Sequence, residues 1–228
     1  MSWSQYWQYA AANAWLGVVP ALVGLVIAVP VGIACVRWRW LYPPVLSAAN
    51  VIYAIPSLAL FVVLIDYTGL GNLTLIIPLT LFSLCVLIPN VVDGLRSVPG
   101  PVRQAATAMG FGPGRRLLRV ELPLAIPVVI AGLRIAVVSS ISLVSVGALI
   151  GVNSLGYFFI DGLQRSFYEE IWAAIAGVIV IALAADLVLV GVRRLLTPWS
   201  RARGRGAAGG PAVVAGTEQA VLAEGMSR

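Results

Sequence analysis

Arginine carries almost all the positive charge in this 228-residue chain, because all fifteen basic residues are Arg and there is no Lys or His. Without His there can be no Ser–His or Cys–His dyad and no zinc-protease motif. Without Lys there is no Walker A lysine to hold a nucleotide phosphate. Asp66, Asp93 and Asp186 are scattered and make no convincing pair of carboxylates, which disfavours an intramembrane enzyme. Cys35 and Cys85 lie inside apolar runs and read as small hydrophobes, so neither a disulfide nor a metal is assigned. What remains is docking chemistry, concentrated in Gln104 to Pro123, QAATAMGFGPGRRLLRVELP. Ala, Gln and Met favour a short helix over 101–109. Gly110, Gly112, Pro113 and Gly114 then force a turn. A second short helical turn carries Arg115 to Glu121. One reading is a solvated basic loop between membrane helices. The other is a landing surface for a soluble partner: Ala and Gly allow close approach, and Arg103, Arg115 and Arg116 can pair with its carboxylates.

Composition decides the class around that segment. Hydrophobic residues are 60% and charged residues 11%, against about 25% charged in soluble domains. The mean hydropathy is +0.97. An integral membrane protein is the class that fits. The net charge of +6 flanks apolar runs, so it orients the chain in membrane lipid and does not imply nucleic acid.

Taken in order, residues 1–13 carry Trp3, Tyr6, Trp7 and Tyr9 and read as an interfacial segment. The N-terminus lacks the basic stretch of a signal peptide. Apolar runs at about 14–36, 43–65, 72–92, 123–150 and 170–192 predict five transmembrane helices in an all-α protein. Each run approaches or exceeds the roughly 20 residues that span a bilayer. The loop 93–122 separates the third and fourth. Residues 151–168 read as an exposed loop or a short re-entrant helix, and 198–228 as a disordered cytoplasmic tail.

Polar residues inside the runs form the second group of candidates. Asn50, Tyr53 and Ser57 share one face of the second run. Arg134 falls near mid-depth of the fourth, with Ser139, Ser142 and Ser145 beyond it. Each set reads either as glue between helices or as the lining of a translocation path. Arg134 and Asp186 are opposite charges within the membrane, and antiparallel fourth and fifth helices would let them pair.

Orientation follows from the arginines. One side of the membrane carries Arg37, Arg39, Arg96, Arg103, Arg115, Arg116, Arg119 and the six from Arg193 onward, while the other carries Arg165 alone. The positive-inside rule then puts the N-terminus outside and the C-terminus, with the loop 93–122, in the cytoplasm.

The spacing Gln104-Ala105-Ala106, Gly110, Val120, Leu122-Pro123 resembles the EAA loop of binding-protein-dependent ABC importer permeases. Gln104 stands where that pattern has Glu, and Val120 where it has Ile. The likeness covers roughly residues 14–197. NVIYAIPSLALFVVL and GYFFIDGL are similar to the osmoprotectant branch, which handles glycine betaine, choline, carnitine or proline. The resemblance implies a type I ABC importer permease fold in the plasma membrane of a prokaryote. It implies two cytoplasmic ATPase subunits holding ATP and Mg, and a second permease subunit, identical or paralogous. It also implies an extracytoplasmic substrate-binding protein. Gln104, Ala105, Ala106 and Gly110 would be the coupling surface, with Arg103, Arg115 and Arg116 making charged contacts. The chain itself would hold no cofactor or metal and hydrolyse nothing. The alternatives are a permease for methionine, taurine or an oxyanion, and an ATP-independent channel.

Overall fold

The structure is a computed structural model and describes residues 3–198. Those residues are helical, in the order α1 (Trp3–Arg37), α2 (Tyr42–Ala54), α3 (Ser57–Thr68), α4 (Asn72–Arg96), α5 (Gly100–Ala108), α6 (Pro113–Arg116), α7 (Leu122–Val146), α8 (Gly156–Gln164) and α9 (Tyr168–Leu196). The tail expected from residue 198 lies, beyond Pro198, outside the described residues.

The bundle is built on a seam of small residues along α1. Asn13, Gly17, Ala21, Gly24, Ala28, Gly32 and Cys35 recur at spacings of three and four and are all buried. Small residues let helix backbones approach closely where lipid supplies no hydrophobic drive. A Cβ on Gly17 would fall 2.5 Å from Ile141 Cγ1 of α7 and 2.9 Å from its Cα. A Cβ on Gly32 would fall 2.5 Å from Val91 Cγ1 of α4. Gly17→Ala is therefore expected to lower stability by about 1–3 kcal/mol through overpacking. Gly191, which has open space around it, should gain up to about 1 kcal/mol from the same change. Thermal unfolding of the two variants in detergent checks the pair.

α4 is the central helix and α9 the outermost. Of their most apolar stretches, 56% of α4 is buried and none of α9. Packing of Ala174, Val178, Ile181 and Ala185 on the bundle and polar contacts hold α9 in place. The Tyr6 hydroxyl donates to the Ala173 carbonyl at 3.0 Å, and Arg134 of α7 reaches Asp186. Residues 3–13, expected as an interfacial segment, are the first turns of the continuous α1, since no Gly or Pro interrupts the chain before Gly17. Around Tyr6 they contribute Tyr9, which packs on Tyr157 and Phe158. The loop 151–168 contains α8, seated so closely that a Cβ on Gly156 would strike the Ser145 carbonyl oxygen.

The second apolar run departs from expectation. It is two helices, α2 and α3, bent by 92°. Ile55 is extended, at φ −72° and ψ 127°, because a residue preceding proline is pushed out of the helical region. Pro20, Pro30, Pro78, Pro89 and Pro127 all sit inside unbroken helices. The difference is packing. Those five lie in the helices that form the core, whereas Ala49 and Phe61 are the buried side chains of α2 and α3.

Candidate functional site

The basic loop folds as α5, a tight turn and α6. α5 ends in a Schellman motif. The Phe111 N–H donates to the Ala106 carbonyl at 3.1 Å, and the Gly110 N–H donates to the Thr107 carbonyl at 3.0 Å. That geometry requires a left-handed residue just past the helix end, and Gly110 supplies it at φ +81°. A Cβ on Gly110 would meet nothing within 4 Å, so the motif glycine sits on open surface. Gln104, Ala105 and Thr107 are exposed beside it, and Ala106 is buried. The outward face of α5 is therefore small, uncharged and uncovered in the isolated chain.

Two of the candidate arginines turn inward. Arg116 donates through Nε to Glu121 Oε1 at 2.8 Å and through Nη1 to the Thr107 hydroxyl at 3.0 Å. Arg103 donates through Nη2 to the Leu95 carbonyl at 2.6 Å, with its Nε 3.9 Å from Glu121 Oε1. These contacts fasten α5 and α6 to the end of α4 and to the start of α7. Arg115 stays exposed. Glu121, 7% exposed, is the residue that sequence reasoning missed. It closes a π-helical turn, Leu117–Glu121, in which the Leu122 N–H bonds back to the Leu117 carbonyl. The signal available was a lone acid at the end of an arginine-rich stretch, directly before an apolar span.

The intramembrane charges pair. Arg134 grips Asp186 with two parallel bonds, Nε to Oδ1 at 2.6 Å and Nη2 to Oδ2 at 2.7 Å. This fork-to-fork geometry is the strong form of a carboxylate–guanidinium contact. It spends Arg134 on joining helices.

The candidate path residues separate into two groups. Tyr53 and Ser57 line a cleft of about 270 Å³ at the α2–α3 bend with Phe82 and Leu143. Tyr53 meets Phe82 edge-on, with ring centroids 6.1 Å apart. A smaller cavity of about 30 Å³ continues from Tyr53 to Ser139 and Ser140. Tyr53 and Ser57 thus share one cleft and Tyr53 and Ser139 the neighbouring cavity, around uncharged, aromatic and hydroxyl-bearing walls. Asn50 is exposed away from this lining. Ser142 is also exposed and bonds the Val138 carbonyl of its own helix. Arg134 faces α9.

Residues 6–202 match the model of a family described as "Binding-protein-dependent transport system inner membrane component". The osmoprotectant import permease protein OsmW of Salmonella typhimurium is 33% identical over 189 residues, covering 81% of this chain and 88% of that one. The glycine betaine/carnitine/choline transport system permease protein OpuCD of Bacillus subtilis is 35% identical over 192 residues, covering 83% of each. Among solved structures, an inward-facing form of the MetNI methionine ABC transporter superposes with a TM-score of 0.74 at 21% identity, covering 86% of this chain and 100% of the matched one. That likeness establishes the type I importer permease fold.

Proposed function

This chain belongs to the family of binding-protein-dependent transport system inner membrane components, and from that premise we propose that it imports osmoprotectants, such as glycine betaine, choline, carnitine or proline. It is a multi-pass membrane protein and a transport subunit, with four helices long enough to span and a fifth, bent pair among the described residues. The solute class rests on the relatives, whose names include osmoprotectant, carnitine, choline and glycine betaine transport.

The proposed assembly has two permease subunits, identical or paralogous, two cytoplasmic ATPases carrying ATP and Mg, and an extracytoplasmic binding protein. The N-terminus lies outside and the loop faces the cytoplasm, as the arginine distribution favours. Gln104, Ala105, Gly110 and Arg115 form the surface on which an ATPase lands, with Ala106 packing α5 from beneath. Arg103 and Arg116 act within the chain as positioning residues. Their bonds to Leu95 and Glu121 make α5 move together with the ends of α4 and α7. Movement imposed by ATPase closure would then reach the helices carrying Phe82 and Ser139, where the solute cleft lies.

The observation that carries this reading is the outward, uncluttered Gly110 face on a loop clamped to the core helices. Neutral, aromatic walls at Tyr53 and Phe82 suit a quaternary ammonium, which aromatic faces attract. The test is uptake of labelled glycine betaine and choline by cells at high and low osmolarity, with the gene present or deleted and redundant importers removed. Deletion is expected to abolish uptake of at least one of them. Unchanged uptake of both would remove the osmoprotectant assignment and direct a screen toward methionine, taurine and oxyanions.

A further inference from the structure

A cavity of about 270 Å³ lies between the loop-side end of α1 and the clamped loop. Its charged lining is Arg37, Arg103, Arg116 and Glu121, and its apolar walls include Val36 and Leu117. Three guanidinium groups and one carboxylate line it, which leaves the lining with a surplus of positive charge. Glu121 is already engaged by Arg116 at 2.8 Å. Arg103 Nε, 3.9 Å away, is beyond hydrogen-bond range and is buried without an acceptor. Arg37 has no ion-pair partner among the described residues.

A buried N–H without an acceptor is costly, and an unpaired guanidinium stands on the same cavity. Arg103 Nε is itself sealed from the cavity, but an anion there would give Arg37 acceptor oxygens and lie in the positive field of Arg103 and Arg116. Planar guanidinium forks match phosphate oxygens well. The height of the cavity adds a second constraint. Trp38 and Trp40 follow Arg37 directly and are 54% and 74% exposed. Exposed tryptophans mark the lipid–water boundary, and basic pockets between helices on the cytoplasmic side suit phospholipid headgroups.

The geometry points to a binding site for one phosphate-bearing anion, bridging Arg37 to Arg103 and Arg116. Two sources share that chemistry, the headgroup of an anionic lipid and free phosphate. Bound there, the anion would tie α1 to the loop that α4 and α7 already hold.

The test uses the purified full-length chain in a neutral detergent. Thermal unfolding is followed while short-chain phosphatidylglycerol, short-chain phosphatidylcholine or inorganic phosphate is added. Phosphatidylglycerol is expected to raise the midpoint saturably, and phosphatidylcholine to leave it unchanged. Arg37→Gln, which leaves the Arg116–Glu121 contact intact, should weaken the apparent affinity about tenfold, the loss of one charge-assisted contact. Arg39→Gln, two residues on and outside the lining, should change it less than about twofold. Inorganic phosphate acting as strongly as phosphatidylglycerol assigns the site to the free anion, and its failure to act assigns the site to the lipid. Indistinguishable titrations with the two lipids and no response to phosphate would overturn the site. So would equal effects of Arg37→Gln and Arg39→Gln.

Discussion

Gly110→Asp is expected to leave the protein folded and inserted while abolishing ATP-driven uptake. Gly110 terminates α5 in the left-handed region, at φ +81°. A side chain there costs roughly 1–2 kcal/mol in general and less for Asp or Asn, whose short polar groups tolerate that conformation. No atom lies within 4 Å of the added Cβ, so packing is not disturbed. The loss falls on the proposed landing surface, where a carboxylate and its water would intrude between α5 and the ATPase. Truncating or blocking a central interface residue commonly costs about 2 kcal/mol or more, which is about 30-fold in affinity. Co-purification of the ATPase with the variant, beside its membrane abundance, checks both halves. Gly110→Asn keeps the same shape without the charge, so its recovery of docking measures how much of the loss is electrostatic.

The second large effect is expected at the intramembrane ion pair. Arg134→Leu leaves Asp186 without its partner inside the membrane, and Asp186→Leu does the same to Arg134. A lone charge near mid-span costs about 2.5–3.5 kcal/mol on insertion scales. Each single variant should therefore lose folded abundance and unfold at a lower temperature in detergent. The double replacement by Leu should recover most of the loss, because an ion pair removed whole is often close to neutral. Exchanging the two charges should also recover more than either single change. Strict additivity of the two Leu variants would show that the bidentate bonds at 2.6 and 2.7 Å contribute no coupling. The loss should add to a modest packing contribution, because α9 otherwise meets the core through partly buried side chains such as Val178, Ile181, Ala185 and Leu189. None of its most apolar stretch is buried.

The family's loop pattern and the ion pair were both readable in the sequence, for different reasons. The loop declared itself by fixed spacing, and its glycine has a definite physical task as the residue after a helix end. The Arg134–Asp186 pair followed from depth and antiparallel direction alone, since opposite charges in hydrocarbon have few other solutions. The inward turn of Arg103 and Arg116 was not readable. A basic loop gives no sign of which arginines face a partner until Glu121, the Thr107 hydroxyl and the Leu95 carbonyl are placed around them. The 92° bend was hidden for a related reason. Pro56 resembles the five prolines that continue their helices, and the difference lies in how much of the bundle surrounds each one. Tyr53 meeting Phe82 likewise depends on α2 packing beside α4, which no spacing within one helix reveals.

Uptake into proteoliposomes would test the central claim most directly. The vesicles would contain this chain with its partner ATPase and any paralogous permease, and labelled glycine betaine and choline would be offered with the binding protein outside. The account predicts uptake of at least one solute that requires ATP on the loop side and disappears with Gly110→Asp. Uptake that proceeds at the same rate without ATP, and in the Gly110→Asp variant, would contradict it and make the chain a passive facilitator.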